Sequence, residues 1–174
     1  MNKIMRTFII AAVLVLGVAA RAFPQHLKSP EGHPNNPYYS NTDTNKLHVS
    51  DAEWKKILSP ALYATAREQA TEKPFTGRYW DQNAKGTYYC AVCGNKLFRS
   101  DAKFSSTCGW PSFFEPSRKN SVTYLQDHSY GMDRIEVRCA RCGSHLGHIF
   151  DDGPPPTHKR YCMNSISLDF KPDK

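Results

Sequence analysis

Long apolar runs are scarce in this chain of 174 residues. The stretch Phe8 to Ala20 has 13 residues, where a helix crossing a bilayer needs about 20, so a membrane span is the weaker reading of it. Lys3 and Arg6 precede the run and the small-x-small triplet Ala20-Arg21-Ala22 follows it, the order of a secretory signal. The expectation is a signal peptide over residues 1–22 and an exported protein, periplasmic or secreted, with no stable membrane insertion after cleavage; an uncleaved anchor is the alternative. No cysteine follows the cleavage point, which argues against lipid attachment there. Excess charge is also modest: the formal +7 falls to +4 once Lys3, Arg6 and Arg21 leave. That gives no reason to expect nucleic acid as a partner. The length leaves no room for two comfortable domains. A βαβ alternation, the setting of most CxxC redox enzymes, is missing too.

What is present falls into three parts. Residues 23–49 are rich in Pro, Asn, Ser, Tyr and His without a strand or helix period, and read as an extended polar linker in which His26, His33 and His48 are solvated. The domain is expected over residues 50–174. It opens with two short helices: Ser50 with Glu53 forms a capping box, and Ser59-Pro60 starts a second helix through Leu62, Tyr63, Ala66 and Arg67. After Pro74 come short alternating runs separated by Gly, Pro, Asn and Asp. Tyr88–Ala91, Lys96–Arg99, Val122–Leu125, Ile135–Cys139 and Cys162–Phe170 all suit strands, so the domain is mainly β.

Two of its segments echo each other. "CAVCGNKLF" from Cys90 and "CARCGSHLG" from Cys139 share Cys-Ala-x-Cys-Gly-x-x-Leu. Each CxxC turn brings two sulfurs to one point, and Gly94 or Gly143 permits the positive φ that closes it. Cys90, Cys93, Cys139 and Cys142 together make a closed tetrahedral donor set suited to structural zinc. Six cysteines in an exported chain also fit three disulfides, but twin turns at the ends of a 45-residue insert favour the metal.

Cys108 in "STCGWPSFF" and Cys162 in "RYCMNS" are left over. On a strand beginning near Cys162, the residues Arg160, Cys162, Asn164, Ile166, Leu168 and Phe170 share one face. An arginine beside a thiol favours its ionised, nucleophilic form; the plain alternative is a small buried side chain. His145 and His148 can donate protons near neutral pH. Three apart on a strand, they point to opposite sides unless Gly147 marks a bulge or turn. Pairing with acids elsewhere is the other reading of each. Trp110 sits on a loop, as the wall of an apolar pocket or as a core anchor.

Taken together, Cys90/Cys93, "CGWPSF", "CARCGSHLGHIF" and "DDGPPPTHKRYCMNS" closely resemble the B-type methionine-(R)-sulfoxide reductases, from about Ser50 to Phe170. The resemblance implies two antiparallel sheets with a few N-terminal helices, and a structural zinc away from the active site. It implies that Cys162 is the nucleophile that becomes a sulfenic acid, and that Cys108 resolves it as a disulfide, at a position where many members have no cysteine. His145, His148 and Asn164 are implied to orient and protonate the sulfoxide oxygen, Arg160 to favour the thiolate, and Trp110 to hold the methyl group. Asp152 is assigned to support of the arginine or of a histidine. Oxidised methionine residues in proteins are the implied substrate, a thioredoxin-like protein the implied reductant, and a monomer the expected state. Two other readings stand beside this one: a thiol–disulfide oxidoreductase using the same pair, and a non-catalytic zinc module.

Overall fold

The computed structural model describes His33 and residues 35–174; the expected signal peptide and the first part of the linker lie outside the described residues. Two short helices form the start of the domain. α1 (Asp51–Ile57) begins where Ser50 accepts the Glu53 N–H, and α2 (Pro60–Glu68) where Ser59 accepts the Leu62 N–H. Each cap satisfies a donor that has no partner inside its helix. Arg67 of α2 holds Asp51 of α1 at 2.7 Å and also donates to the Cys142 carbonyl at 3.1 Å, so the helical pair is tied to the second cysteine turn. No helix among the described residues is long and apolar enough to cross a membrane.

Among the described residues nine strands build two antiparallel sheets, the architecture expected. β1 (Gly86–Cys90) lies between β2 (Lys96–Arg99) and β9 (Leu168–Pro172). The second sheet has six strands: β3 (Lys103–Phe104), β4 (Ser112–Phe113), β8 (Arg160–Met163), β7 (His145–Phe150), β6 (Arg134–Cys139) and β5 (Val122–Asp127), in that order across it. The core lies between the sheets. Phe98 of β2 stacks on Phe113 of β4 with ring centroids 4.4 Å apart, and Tyr88 of β1 meets the same ring edge-on at 5.0 Å. Met163, Val137 and Leu146 fill the space beside them. Burying such side chains contributes roughly 1.5–3 kcal/mol each.

One expectation needs correcting. Residues 162–170 are not a single strand but the end of β8, a 3₁₀ turn over Ser165–Ser167, and β9 in the other sheet. Glu72 draws the chain out of line by accepting the Ser165 and Ile166 N–H groups, and Asn164 accepts the Glu72 N–H in return. The face of Cys162 therefore does not continue into the apolar residues Ile166, Leu168 and Phe170.

The described part of the linker has little regular structure, as its composition implies, yet it is packed and not solvated. Tyr39 is buried with its hydroxyl on Asp169, and His33 also contacts Asp169, at 2.6 Å. Asn36 donates to the Val92 carbonyl, Ser40 N–H to Cys93, and Leu47 N–H to Arg141. The backbone polar groups of the cysteine turns supply partners that composition alone does not reveal. His48 is exposed, as expected.

Candidate active site

The two cysteine turns are the same structure used twice. Cys90 ends β1 and Cys139 ends β6; Gly94 N–H returns to the Cys90 carbonyl at 2.8 Å, and Gly143 N–H to that of Cys139 at 2.8 Å. Both glycines have positive φ, +77° and +72°. The four sulfurs lie within 4.8 Å of one another and are buried, with 3.7 Å between Cys90 and Cys142 and 3.6 Å between Cys93 and Cys139. A tetrahedral site with metal–sulfur bonds of about 2.3 Å has edges of about 3.8 Å, and a disulfide needs about 2.05 Å. The donor set therefore fits a metal ion, and four buried thiols in contact cannot all ionise without a cation.

The remaining candidate residues gather on one face of the six-stranded sheet. Directly opposite residues in antiparallel strands share a face. Ser112 pairs with Cys162, Cys162 with His148, and His148 with Glu136, so these four form a row across β4, β8, β7 and β6. Asp127 and Arg134, paired across β5 and β6, extend it. The opposite face carries Phe113, Tyr161, Met163 and Val137 into the core. His145 joins the polar face through a bulge: Val137 pairs with Gly147 but Arg138 with His145, so Leu146 is the extra residue. The two imidazole centroids are 5.5 Å apart. Gly147 is required there because a Cβ would lie 2.1 Å from the Cys162 carbonyl oxygen.

Cys108 Sγ lies 3.5 Å from Cys162 Sγ, and the Ser106 hydroxyl is 2.9 Å from the Cys108 sulfur. Beside this pair, Trp110, Phe150, Met163, His148, Asn164, Arg134 and Cys162 line a cavity of about 110 Å³. That is small against the roughly 300–1,000 Å³ of ordinary small-molecule sites. It takes the end of a side chain. Trp110 Nε1 donates to the Glu72 carbonyl at 3.1 Å, which fixes the indole as one wall.

Comparison with known proteins finds relatives over most of the chain. The SelR domain model matches residues 58–172. A peptide methionine sulfoxide reductase MsrB of Agrobacterium fabrum is 54% identical over 127 residues, covering 73% of this chain and 94% of the relative. The chain belongs to the SelR family, the B-type methionine sulfoxide reductases. Other family members are similarly near. Those of Methanosarcina barkeri (54% identity, 74% of this chain, 90% of the relative) and Thiobacillus denitrificans (55%, 71% and 93%) carry the same printed name.

Against this family background, the residues singled out in the sequence occupy different depths. Cys162, His148, Asn164 and Trp110 line the cavity. Asn164 is partly committed, since Oδ1 accepts the Glu72 N–H and Nδ2 donates to the Leu146 carbonyl, leaving one N–H. His145 does not reach the cavity lining. It is 2% exposed and lies behind His148, with Nδ1 2.6 Å from Glu136. Arg160 stands two residues before Cys162, but Asp152 engages its guanidinium bidentately at 2.8 Å and Phe150 lies beneath it at 4.4 Å. Asp152 thus supports the arginine and not a histidine.

Electrostatics divides the sulfur pair unequally. Hydrogen bonding from Cys162 and the Ser106 and Ser112 hydroxyls lowers the Cys108 thiol to about 4, against the effect of burial. Sharing a proton with Cys108, together with burial, raises Cys162 above the ordinary thiol range, and Arg160 opposes this without overcoming it. Arg160 thus acts in the direction expected of it, toward the Cys162 thiolate, while burial and the Cys108 contact act the other way. Burial lowers the His148 pKa, so its ring is neutral near pH 7.

Sequence reasoning missed Asp127, Arg134, Glu136, Ser106 and Ser112. The alternation in "RIEVRC" puts Glu136 on one face with Arg134 and Arg138 but carries no sign that this face is covered. In the structure Glu136 is 3% exposed, covered by α2 through Gln69, while Ile135 is 41% exposed.

Proposed function

We propose that this chain reduces methionine (R)-sulfoxide residues in proteins to methionine through a sulfenic acid and an intramolecular disulfide. Cys162 attacks the sulfoxide sulfur; the oxygen passes to Cys162, which becomes S–OH, and the thioether leaves. Cys108 then attacks the sulfenic sulfur, water departs, and the disulfide forms. An external dithiol, of the thioredoxin-like class, returns both cysteines to thiols. The observation that carries this reading is the 3.5 Å approach of the two sulfurs at a cavity sized for one side-chain end.

The cavity supports the stereochemical preference as well. Its apolar side, Trp110 with Phe150, suits the methyl group, and its polar side, His148 with the free N–H of Asn164, suits the oxygen. A fixed pocket with those two sides places the epimers differently. The product thioether accepts hydrogen bonds only weakly and leaves the polar side. We read the four-cysteine site as structural zinc, remote from the chemistry, and the leader as an export signal to the periplasm or beyond.

Cys162→Ser and Cys108→Ser test the assignment. The first should abolish turnover, and retained activity would remove Cys162 as nucleophile. The second should allow one reduction per chain and stop recycling by thioredoxin; undiminished steady-state turnover would remove Cys108 as the resolving thiol.

A further inference from the structure

The proposed chemistry needs a proton at the sulfoxide oxygen while Cys162 has one to lose. His148 Nε2 lies 2.7 Å from Asp127 Oδ2, and the same oxygen accepts from Arg134 at 2.8 Å. Asp127 Oδ1 accepts the Ser129 N–H at 2.9 Å. Hydrogen bonds from Ser129, then from His148, hold this carboxyl well below the usual range, so it is anionic throughout the working pH range. Opposite a permanent anion, the imidazole carries its proton on Nε2. Nδ1 is then the ring nitrogen without a partner among the described residues, on a ring that lines the cavity and pairs across the strands with Cys162.

The geometry points to a proton relay Asp127–His148–Cys162 in which Asp127 is a positioning residue. It fixes the His148 tautomer, and it compensates the imidazolium formed when Nδ1 takes up a proton and delivers it to the sulfoxide oxygen. The relay rests on the function proposed above. Its balance closes: Cys162 gives up its S–H proton and two electrons and bonds to the oxygen. The sulfoxide sulfur gains the two electrons and becomes a thioether, and the proton carried by Nδ1 ends on the sulfenic oxygen. A carboxylate that orients an imidazole serving a nucleophile is a general device. Here the carboxylate comes from the edge strand, where it is also within reach of Arg134.

The groups facing His148 set the sign of the test. They are Asp127 from β5, Arg134 and Glu136 from β6, His145 from β7 and Cys162 from β8. Burial lowers its pKa most, Arg134 and His145 add to that, and Asp127 opposes it. Asp127→Asn removes an anion and should lower the pKa further; Arg134→Gln removes a cation and should raise it.

The experiment is the pH profile of kcat/KM for the full chain with an (R)-sulfoxide peptide, recorded for wild type, Asp127→Asn and Arg134→Gln. Because the resting His148 ring is neutral and must take up a proton, its pKa marks the acid limb: that limb should move down by about one unit in Asp127→Asn, with a lower plateau as the imidazolium loses its counter-charge, and move up in Arg134→Gln. Nitrogen NMR of the resting protein should show the Nε2–H tautomer of His148 in wild type and its loss in Asp127→Asn. Limbs that stay in place or move together, or an unchanged tautomer, would reduce Asp127 to a structural ion pair and overturn the relay. Wild-type protein that reduces neither epimer would overturn the relay together with the function beneath it.

Discussion

Replacing Gly147 with alanine should separate Cys162 from His148 without touching either side chain. The new methyl carbon would lie 2.1 Å from the Cys162 carbonyl oxygen and 3.0 Å from Cys162 C and Met163 Cα. All three are backbone atoms of β8, so no rotamer relieves the contact. Ordinary contact begins at 3.4 Å, and β7 and β8 must part by the difference, about 1.3 Å. Misplacement of about 1 Å can cost about 10²-fold in rate, and overpacking of this kind costs about 1–3 kcal/mol. For a domain of this size that lowers Tm by roughly 3–10 °C. Gly143→Ala is the contrast: its φ is +72° but nothing lies within 4 Å of the added carbon. It should cost about 1–2 kcal/mol of backbone strain and leave the chemical step alone. Single-turnover rates and melting curves of both variants decide the matter. A Gly147→Ala protein with wild-type rate, or a Gly143→Ala protein slowed as much, would refute the argument that the bulge aligns Cys162 and His148.

Four further outcomes are expected. Glu136 is buried against His145 and Arg138, and although burial raises its pKa, those two partners lower it further, to below the usual value. Its contribution is therefore complete above the unfolded carboxyl pKa and lost as pH falls through the folded one. Glu136→Gln should cost about 3 kcal/mol at pH 7, and the gap from wild type should narrow below about pH 4.3 in melts run across pH; a gap constant down to pH 3 contradicts this. The chain should hold one zinc per molecule, and a chelator that removes it should lower Tm. Asn36→Ala, which frees the Val92 carbonyl from the N-terminal segment, should speed zinc loss to the chelator several-fold, whereas an unchanged rate would show that the segment does not brace the cysteine turns. Trp110→Ala should raise KM for an (R)-sulfoxide peptide far more than it lowers kcat, and equal losses in both would remove the indole as a ground-state wall.

Much of this was legible in the sequence where the signal is local. Ser50 and Ser59 cap helices because capping depends on residues three apart, and the repeated Cys-Ala-x-Cys-Gly motif gave identical turns because the positive φ at Gly94 and Gly143 is a local demand. The bulge at Gly147 was legible as a condition: two histidines three apart reach one face of a strand only through an extra residue. What was not legible depends on contacts distant in sequence. The break after Met163 is set by Glu72, more than 90 residues earlier in the chain. Packing of the polar N-terminal segment depends on carbonyls of the cysteine turns, and Asp127 serves His148 only because β5, β6 and β7 lie side by side. The burial of Glu136 was not legible because alternation assigns two faces but does not say that α2 covers the second.

The central claim is that Cys162 and Cys108 act in sequence on one sulfoxide epimer. The most direct test is a single-turnover reaction of the pre-reduced protein with each epimer of a methionine sulfoxide peptide, counting free thiols and bound zinc before and after. The account predicts one methionine formed and two thiols lost per chain with the R epimer, none with the S epimer, and zinc unchanged. Equal reaction with both epimers, or methionine formed without loss of the Cys108 and Cys162 thiols, would contradict it.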